Sequence, residues 1–598
     1  MVEVNDSPMI QGTVEEFLDG LGGHIYASIE GLAAIFLEHQ PWSGPVIAIA
    51  REVATSHRLT IKSYEDFATW IKNVQNAARP YQMLRENATH LMWLEAIPQK
   101  SLVLTNGTGS PRWSSVLALG EITIDCPYMD GFRNLCAHAN EVFAHQSARI
   151  LLHGFYLCEG ILEMWVFDRT GIYGSKAFNI TKTPELVTQI IASYLLMDGA
   201  SLGVSDLIKH DYRGNYIECE FGGPAKACRL YLDDSPIFAR VNKSIFSDGL
   251  TCYRAQLQSA NDWNYAVKVK WCELDEGSEA GMLKLATDKH IWGVIRLIQH
   301  RIVCGASDWR RGLALDNTCK LSSWIETARH VGPGSACDYI SGPPKDEGGN
   351  SGDAPHATIG EKKLQCVVVA PLGESLHRFK SIPGLLCALR DALKGHRSLY
   401  QDGGILHQDI SPGNIIIPAH GMEHDLQGPK GVLIDLDLAS PVTTPSKQFE
   451  SVGTPPFQAI GVLQAYLPNN PHTYRHDLES FFYTFLFLAI CKRPVPVGEN
   501  QLQLPATSAL QMWTQGRPVD KARTKTEDMH AERFRAIMDE FTPEFKVLSD
   551  LAEELRDLLF PMRDGKLWTG TDHTTQGTAS LYNGMIDAFE KAAKLHAD

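Results

Sequence analysis

The segment ILHQDISPGNIII (405–417) has the residue types and spacing that are most informative about chemistry. Its apolar flanks can hold a short loop against a core and present His407, Asp409 and Asn414 from a rigid base. An aspartate followed five residues later by an asparagine suits phosphoryl transfer, because the carboxylate can accept a hydroxyl proton while the amide oxygen binds magnesium on the phosphates. Alone, either residue could instead form a turn. Together they predict a catalytic loop.

Three more residues have the types that such a site needs. Asp435 ends an apolar segment in GVLIDLDLAS, where its carboxylate could bridge Mg²⁺ to the phosphates. Lys268 lies in YAVKVKW, and a lysine on a strand can contact phosphates as a point charge. Glu279 lies in the helix-like SEAGMLKLA, from which it could pair with Lys268 and hold it in place.

The same strand and helix offer alternatives to two of these assignments. Lys270 shares a strand face with Lys268, because side chains alternate along a strand, and an exposed strand lysine is the simpler interpretation of either. Glu273 or Glu276 could replace Glu279 as the partner, which would leave Glu279 a solvated helix residue. We favour Lys268 and Glu279 from the residues around them.

The elements that must position these residues come in the order strands first, helices later. Strands are predicted near 216–256, at YAVKVKW and at QCVVVAP, with the helix EAGMLKLATDKH between the last two. After Gly373 the spacing is mostly helical, and the apolar run 481–491 is predicted as a buried helix because it is too short to span a membrane. Between about 308 and 362, SGPPKDEGGNSGDAP predicts a flexible insertion.

Residues 1–205 are predicted to form a separate α+β domain. ILLHGFYLCEG and ILEMWVFDRTG read as a hairpin that turns at Glu159-Gly160, and a helix is predicted over 184–197. WSSVLALGEIT faintly resembles a nuclease core, but Thr123 stands at the lysine position, so Glu121 is interpreted as a charge at a strand end. We interpret this domain as regulatory or substrate-recruiting.

Composition excludes several classes of protein. The 598 residues carry 55 Lys+Arg and 70 Asp+Glu, a net charge of −15, so no global basic field attracts nucleic acid or an anionic membrane. The 13 cysteines include no C-x-x-C pair, which indicates a reducing compartment without a disulfide framework or structural metal. MVEVNDSPMIQGTVEEF has no export signal, so we expect an intracellular protein, cytoplasmic or nuclear. The sequence does not predict an oligomeric state.

Several segments, in order along the chain, resemble protein kinases. HQDISPGN resembles the catalytic loop, DLDLA the Asp-Phe-Gly region, GTPPFQAIGVL (453–463) the end of the activation segment, and HDLESFFYTFLFL (476–488) the helix whose leading Asp477 braces the catalytic loop. KGHRSLYQDGGILHQDISPGNI, MWVFDRTGIYGSKAFNI and PELVTQIIASYLLM are similar to the fungal-type protein kinase family, a divergent branch of the eukaryotic-like protein kinase fold.

The resemblance implies an α+β fold with two kinase-like lobes behind the amino-terminal domain. A small β-rich lobe would span 206–372, and a large helical lobe with its tail 373–598. The implied function is an ATP- and Mg²⁺-dependent protein kinase that phosphorylates serine or threonine hydroxyls of a protein substrate. A pseudokinase that serves as a scaffold or regulatory binding module, or a small-molecule phosphotransferase, are the alternatives.

The resemblance also implies a role for each site residue. Lys268 would contact the α- and β-phosphates of ATP with Glu279 as its partner, and Asp409 would be the catalytic base. Asn414 and Asp435 would be the magnesium ligands. Gly249 would lie in the phosphate-covering loop IFSDGLTCYRA, and the backbone of Val369, Ala370 and Leu372 would lie at the adenine edge.

Several positions depart from the general kinase pattern. Ser247 replaces the first glycine of the phosphate-covering loop, and Gln408 replaces the arginine that pairs with a phosphorylated activation loop in many kinases. Asp437 stands at the glycine position of Asp-Phe-Gly, and Ser411 replaces a lysine usual in serine/threonine kinases, which leaves the substrate class open. Ala-Ile-Gly at 459–461 lacks the anchoring glutamate of Ala-Pro-Glu, which predicts a looser substrate platform.

Overall fold

The computed structural model describes most of the chain. The described residues are 21, 23–56, 63–84, 90–96, 101–107, 111–124, 127–220, 227–240, 244–260, 262–273, 278–310, 313, 360–419, 428–443, 452–464, 471–491 and 503–596. The insertion predicted at about 308–362 lies almost entirely outside the described residues.

The amino-terminal part forms an α+β domain around one mixed sheet. Its strands are β1 (Ile25–Ile29), β2 (Leu91–Ala96), β3 (Ser101–Asn106), β4 (Ala118–Thr123), β5 (Leu151–Cys158), β6 (Ile161–Asp168), β7 (Ile172–Ser175) and β8 (Phe178–Asn179). They follow the order β1-β7-β6-β5-β4-β3-β2, with β8 beside β6. Its helices are α1 (Leu32–Leu37), α2 (Ser43–Ser56), α3 (Tyr64–Met83), α4 (Tyr128–His145) and α5 (Pro184–Leu196).

The predicted hairpin and helix of this domain are confirmed. β5 and β6 pair antiparallel, and Glu159 and Gly160 between them have φ of 47° and 78°, the positive values that a two-residue hairpin turn requires. α5 begins at Pro184, whose fixed φ suits a first helical turn. Helices α1, α2, α3 and α5 share one hydrophobic core with the sheet, and α4 packs in a second core.

A second sheet forms the small lobe. Its strands are β9 (Lys209–Asp211), β10 (Gly214–Glu220), β11 (Ala227–Leu232), β12 (Phe238–Ala239), β13 (Thr251–Leu257), β14 (Tyr265–Cys272), β15 (Arg296–Gly305) and β16 (Lys363–Ala370). They follow the order β15-β16-β14-β13-β11-β10-β9, with β12 beside β13. One helix, α6 (Glu279–Asp288), connects β14 to β15.

The large lobe is mainly helical. Its helices are α7 (Ile382–Ser398), α8 (Ile460–Leu463), α9 (Tyr474–Ile490), α10 (Gln511–Thr514), α11 (Pro518–Asp528), α12 (Ala531–Met538), α13 (Ser549–Leu559) and α14 (Thr575–Leu595), with a π-helical turn at Leu399–Gly403. Short strands are β17 (Gly373–Ser375), β18 (Ile405–Leu406), β19 (Ile415–Pro418), β20 (Val432–Leu433), β21 (Ser440–Pro441), β22 (Met562–Arg563) and β23 (Lys566–Leu567). Turns of 3₁₀ helix occur in all three parts of the chain: Trp113–Ser115 lies in the amino-terminal domain, Asp308–Arg310 follows β15, and Leu376–Arg378 and Lys546–Leu548 lie in the large lobe.

The core of the large lobe supports the segments that carry the candidate residues. The apolar run 481–491 forms most of α9 and is buried, as predicted. α9 packs with α7, β18, β19 and β20 in one hydrophobic cluster that continues into α6 of the small lobe. Among the described helices, none has the length and apolar character that a membrane crossing requires.

Candidate active site

Lys268 and Glu279 form a buried ion pair between β14 and α6. The Lys268 Nζ atom lies 2.8 Å from Glu279 Oε1, and the residues are only 9% and 5% exposed. Of the alternative partners, Glu273 lies near Lys362 instead, and Glu276 lies outside the described residues. The structure therefore brings together the two residues that the sequence analysis favoured.

Lys270 is also part of this cluster. As predicted from strand alternation, it points to the same side of β14 as Lys268, and it is 5% exposed. Its ammonium lies 2.7 Å from Glu279 Oε2 and forms a short contact with Asp437. Each oxygen of Glu279 is thus paired with a different lysine, and the interpretation of either lysine as solvent-exposed is wrong.

The Asp435-Leu436-Asp437 segment brings two carboxylates to the same lysines. Lys268 Nζ lies 2.9 Å from Asp435 Oδ1 and 3.2 Å from Asp437 Oδ2. Burial alone would lower the pKa of Lys268, but the surrounding carboxylates outweigh it and raise that pKa well above its usual range. Burial alone would raise the pKa of Asp437, but the two ammonium groups lower it. Lys268 and Asp437 therefore each favour the charged form of the other.

Asp409 is held by the activation segment and by its own loop. Asn414 Nδ2 donates to both the backbone oxygen and Oδ2 of Asp409, each at 2.8 Å. Oδ1 accepts from the backbone N–H of Thr454 at 2.8 Å and from the Thr454 hydroxyl at 2.7 Å. The Ile434 N–H donates to the Asn414 carbonyl at 3.0 Å, so the Asp409 loop is joined directly to the segment that carries Asp435.

Asp477 braces the catalytic loop, as the resemblance predicts. Its buried carboxylate accepts the backbone N–H groups of His407 and Gln408, both at 3.1 Å. It also contacts Nε2 of His396 and of His472, each at 2.8 Å. This one carboxylate at the amino end of α9 thus has four partners, and two of them are backbone groups of the loop that it holds in place.

Two residues of the site have backbone conformations that L residues seldom adopt. Gln408 and Asp435 both have φ of 66°. The Gln408 side chain donates to the Ser440 hydroxyl at 2.6 Å, and His407 Nε2 contacts the Ile434 carbonyl at 3.1 Å, so neighbouring contacts hold both segments. Such conformations cost about 1–3 kcal/mol each and concentrate at functional sites.

Oxygen donors for a hard cation are present. Glu279, Asp435 and Asp437 each offer a carboxylate oxygen, and the three atoms lie within 4.8 Å of one another. The amide nitrogen of Asn414 donates to Asp409, which turns its amide oxygen away from that carboxylate. Both oxygens of Glu279 already face lysines, and Lys268 also lies against Oδ1 of Asp435.

The expected adenine-binding backbone lies where β16 ends. Val369 pairs with Ala266 of β14 and Leu297 of β15, and the β14 ladder ends at that pair, while Ala370 is still paired with Arg296 of β15. Leu372 is engaged within the protein: its N–H donates to the Asn264 carbonyl at 3.0 Å, and its carbonyl accepts from Ala419 at 3.1 Å.

Gly249 lies against the amino-terminal domain. It has a φ of 58°, and a Cβ atom there would lie 2.6 Å from Nη2 of Arg169. Ser247, at the position of the missing glycine, accepts a hydrogen bond from Arg169 at 3.2 Å. The structure thus places the expected phosphate-covering loop next to Arg169, a residue that the sequence analysis did not single out.

The activation segment is anchored by a glutamate on a different element. Glu479 of α9 accepts the Ile460 N–H at 2.7 Å and pairs with Arg475 at 2.6 Å. Gly461 faces His476, and a Cβ atom there would clash with the imidazole Nε2. The expectation of a looser platform is therefore wrong: the anchoring carboxylate is present, but α9 supplies it. The i,i+4 spacing of Arg475 and Glu479 is the sequence signal that could have revealed this pair.

A buried lysine adds to this anchorage. Lys525 of α11 is 1% exposed, contacts the Pro456 carbonyl, and donates to the Gln458 carbonyl at 2.6 Å. Its ammonium lies 4.0 Å from the centre of the Tyr483 ring. Burial lowers its pKa well below the usual range. No sequence pattern connects Lys525 to a segment almost 70 residues earlier.

Glu121 is not a charge at a strand end, and that interpretation is wrong. It is 3% exposed within β4, and it accepts from the Ser101 hydroxyl at 2.6 Å and from Asn134 Nδ2 at 3.3 Å. Burial raises the pKa of its carboxyl to about 7. The alternating strand pattern did not reveal that both faces of β4 are covered by helices.

Comparison with known proteins decides the family. A family model described as fungal protein kinase matches residues 99–491, about two thirds of the chain. The chain belongs to the fungal protein kinase family. This confirms the resemblance and the kinase-like α+β fold, and the matched region includes β3–β8 of the amino-terminal domain, the small lobe, and the large lobe as far as α9. The family match, not any one structural neighbour, carries this assignment.

Two further comparisons complete these findings. A solved structure of vaccinia related kinase 3 is 10% identical, covers 65% of this chain and 90% of its own, and has a TM-score of 0.32. No curated protein matches the sequence.

Proposed function

We propose that this kinase transfers the γ-phosphate of ATP, with magnesium, to serine or threonine hydroxyls of proteins. The observation that carries the proposal is the position of the Lys268 ammonium, 2.8 Å from Glu279 and 2.9 Å from Asp435. It links β14 of the small lobe to the large-lobe segment that is hydrogen-bonded to the Asp409 loop. This arrangement supports phosphate binding beside a candidate base.

Each residue would have a distinct role. Lys268 would bind the α- and β-phosphates, and Glu279 would hold its side chain in place. Asp409 would orient the attacking hydroxyl and accept its proton. Asn414 and Asp435 would hold Mg²⁺, since both offer the oxygen donors that this ion prefers. The ion would neutralise charge on the phosphates.

The choice of a hydroxyl acceptor has support from Asp409. Its carboxylate already accepts a hydrogen bond from the Thr454 hydroxyl at 2.7 Å. A site that accommodates one aliphatic hydroxyl at this carboxylate has the donor geometry that serine or threonine needs.

Nucleotide contacts and domain limits are part of the same proposal. We retain Val369 and Ala370 as the adenine-facing backbone, with Leu372 beside them, and Gly249 in the loop over the phosphates. The proposed units are 1–205, 206–372 and 373–598.

The direct test is transfer of labelled phosphate from ATP with magnesium by wild type and Asp409→Asn. The matched control is Asp539→Asn, the same change at a side chain that is 87% exposed. We expect Asp409→Asn to lower turnover by more than about a hundredfold, since general base and orientation effects are typically of that size. We expect Asp539→Asn to match wild type. Undiminished transfer by Asp409→Asn would remove Asp409 from its role.

A scaffold function is the second candidate, and one observation favours it. Asp437 pairs with both Lys268 and Lys270, so the ammonium groups proposed to bind phosphates already have a protein carboxylate. Thermal stability measured with and without Mg·ATP separates the candidates. A pseudokinase with a closed cluster would show no magnesium-dependent shift and no transfer. Transfer to small alcohols but not to peptides would instead indicate a small-molecule phosphotransferase.

A further inference from the structure

The turn after β6 in the amino-terminal domain holds the small lobe at two separate points. Asp168 Oδ2 accepts from the indole N–H of Trp309 at 2.9 Å and lies 3.6 Å from Arg310 Nε, just beyond β15. The next residue, Arg169, reaches the loop that precedes β13. Two consecutive side chains therefore bind two separate segments of the small lobe.

Arg169 is buried in its contact with this loop. Its Nη1 donates to the Ile245 carbonyl at 3.1 Å and to the Ser247 hydroxyl at 3.2 Å, and Nη2 donates to the Phe143 carbonyl at 2.9 Å. It is 1% exposed, and Gly249 is the residue that leaves room for its guanidinium. Burial lowers the pKa of Arg169 to about 10, so it remains charged at neutral pH.

Apolar residues of the loop complete a core of the amino-terminal domain. Ile245 is 2% exposed and belongs to the hydrophobic cluster around α4. The Phe246 ring lies 4.8 Å from the ring of His24. At its other end, the loop carbonyl of Asp248 accepts the Trp271 N–H of β14 at 2.7 Å. Burial on this scale is typical of a permanent contact within a folded unit rather than of a reversible lid.

Only a few residues separate the loop from the strand that pairs with Lys268 in the candidate site. The loop leads into β13, and Cys252 of β13 lies opposite Lys268 of β14. A loop rich in glycine can approach phosphates by its own backbone freedom, whereas this one retains only Gly249. Its placement must therefore come from contacts outside the loop.

We propose that Arg169 is a positioning residue that holds the loop 244–250 over the nucleotide, so that the amino-terminal domain serves as a fixed part of the ATP site. This inference rests on the proposed kinase function. It gives the amino-terminal domain a role in ATP affinity in place of substrate recruitment. The family match, which begins at residue 99, includes both Arg169 and the loop.

Variants on both sides of the contact test the proposal. Arg169→Lys keeps the charge but cannot span the Ile245 and Phe143 carbonyls, and Ser247→Ala removes one acceptor with little risk to folding. The matched control is Arg149→Lys, because Arg149 is an equally buried arginine whose hydrogen-bond partners all lie between residues 116 and 202. Hydrogen exchange of 244–250 is measured without nucleotide, and KM for ATP and kcat are measured separately.

We expect Arg169→Lys to lose amide protection in the loop and to raise KM for ATP about tenfold, the effect of one lost charged hydrogen bond, with kcat within about twofold. Ser247→Ala should show a smaller change in the same direction. Arg149→Lys should lower thermal stability without a change in KM. Unchanged loop protection in Arg169→Lys, or an equal rise in KM in Arg149→Lys, would overturn the inference. A wild type that neither binds ATP nor transfers phosphate would instead overturn the kinase proposal on which it rests.

Discussion

Replacing Lys268 and Lys270 by methionine, singly and together, tests the paired-lysine cluster most stringently. Both oxygens of Glu279 face a lysine, at 2.8 Å and 2.7 Å, and its side chain is 4% exposed. Removing one partner of a buried ion pair typically costs about 3–5 kcal/mol, because the remaining charge is uncompensated. Here the second lysine still neutralises Glu279, so each single variant should cost less, about 1–2 kcal/mol.

The double variant should cost more than the sum of the two single variants. With both lysines gone, Glu279 has neither partner, and Asp437 loses both of its ammonium contacts. We expect the excess in the free energy of unfolding to be about 2–3 kcal/mol, within the range measured for coupled residues.

Urea unfolding of the four proteins, followed by a probe in the small lobe, measures this excess, and phosphate transfer is assayed in parallel. Transfer should be lost in Lys268→Met and retained, although reduced, in Lys270→Met. Additive stability changes would refute the shared-carboxylate reasoning. Loss of transfer in Lys270→Met alone would mean that the phosphate-binding lysine lies two residues later than assigned.

Three other variants probe separate parts of the structure. Glu163 lies in β6, where its carboxylate accepts the Trp165 indole N–H at 3.3 Å. Burial raises the pKa of Glu163 from 4.5 to about 7, so its stabilising contribution is complete below pH 4.5 and is lost as the pH rises through 7. Relative to wild type, the free energy of unfolding of Glu163→Gln should therefore rise by about 3 kcal/mol between pH 4 and pH 8, as measured by denaturant unfolding. Parallel pH profiles of the two proteins would contradict this. Glu479→Gln, which weakens the anchor at Ile460, should increase protease cleavage within 452–464, whereas an unchanged digest would argue against the anchor. Asp477→Asn should lower stability by about 3–5 kcal/mol and reduce transfer, because an amide cannot replace all its acceptor bonds to residues such as His407; a thermal midpoint equal to that of wild type would exclude the bracing role.

The sequence predicted the family, the α+β fold and the residues Lys268, Glu279 and Asp435 that the structure brings together, because each lies in a short recognisable motif. Asp477 could be placed under the catalytic loop for the same reason. The shared pairing of Glu279 could not be predicted, since it depends on how α6 packs against β14. The Glu479 anchor could not be predicted from the Ala-Ile-Gly segment, because the carboxylate that reaches Ile460 lies on α9. Glu121 was misinterpreted because burial of a strand on both faces depends on helices elsewhere in the chain.

Because the chain is synthesised from its amino end, the burial of Ile245 in the core around α4 affects when the amino-terminal domain can finish folding. The amino-terminal domain ends its last helix at Leu196, yet one of its cores is completed by Ile245, and Trp309 packs against the other. At about 5–20 residues per second, a ribosome needs roughly 6–20 s to pass from Leu196 to Trp309. During that interval the nascent domain exposes apolar surface that it later buries. The amino-terminal domain therefore finishes folding only after most of the small-lobe sheet has been synthesised.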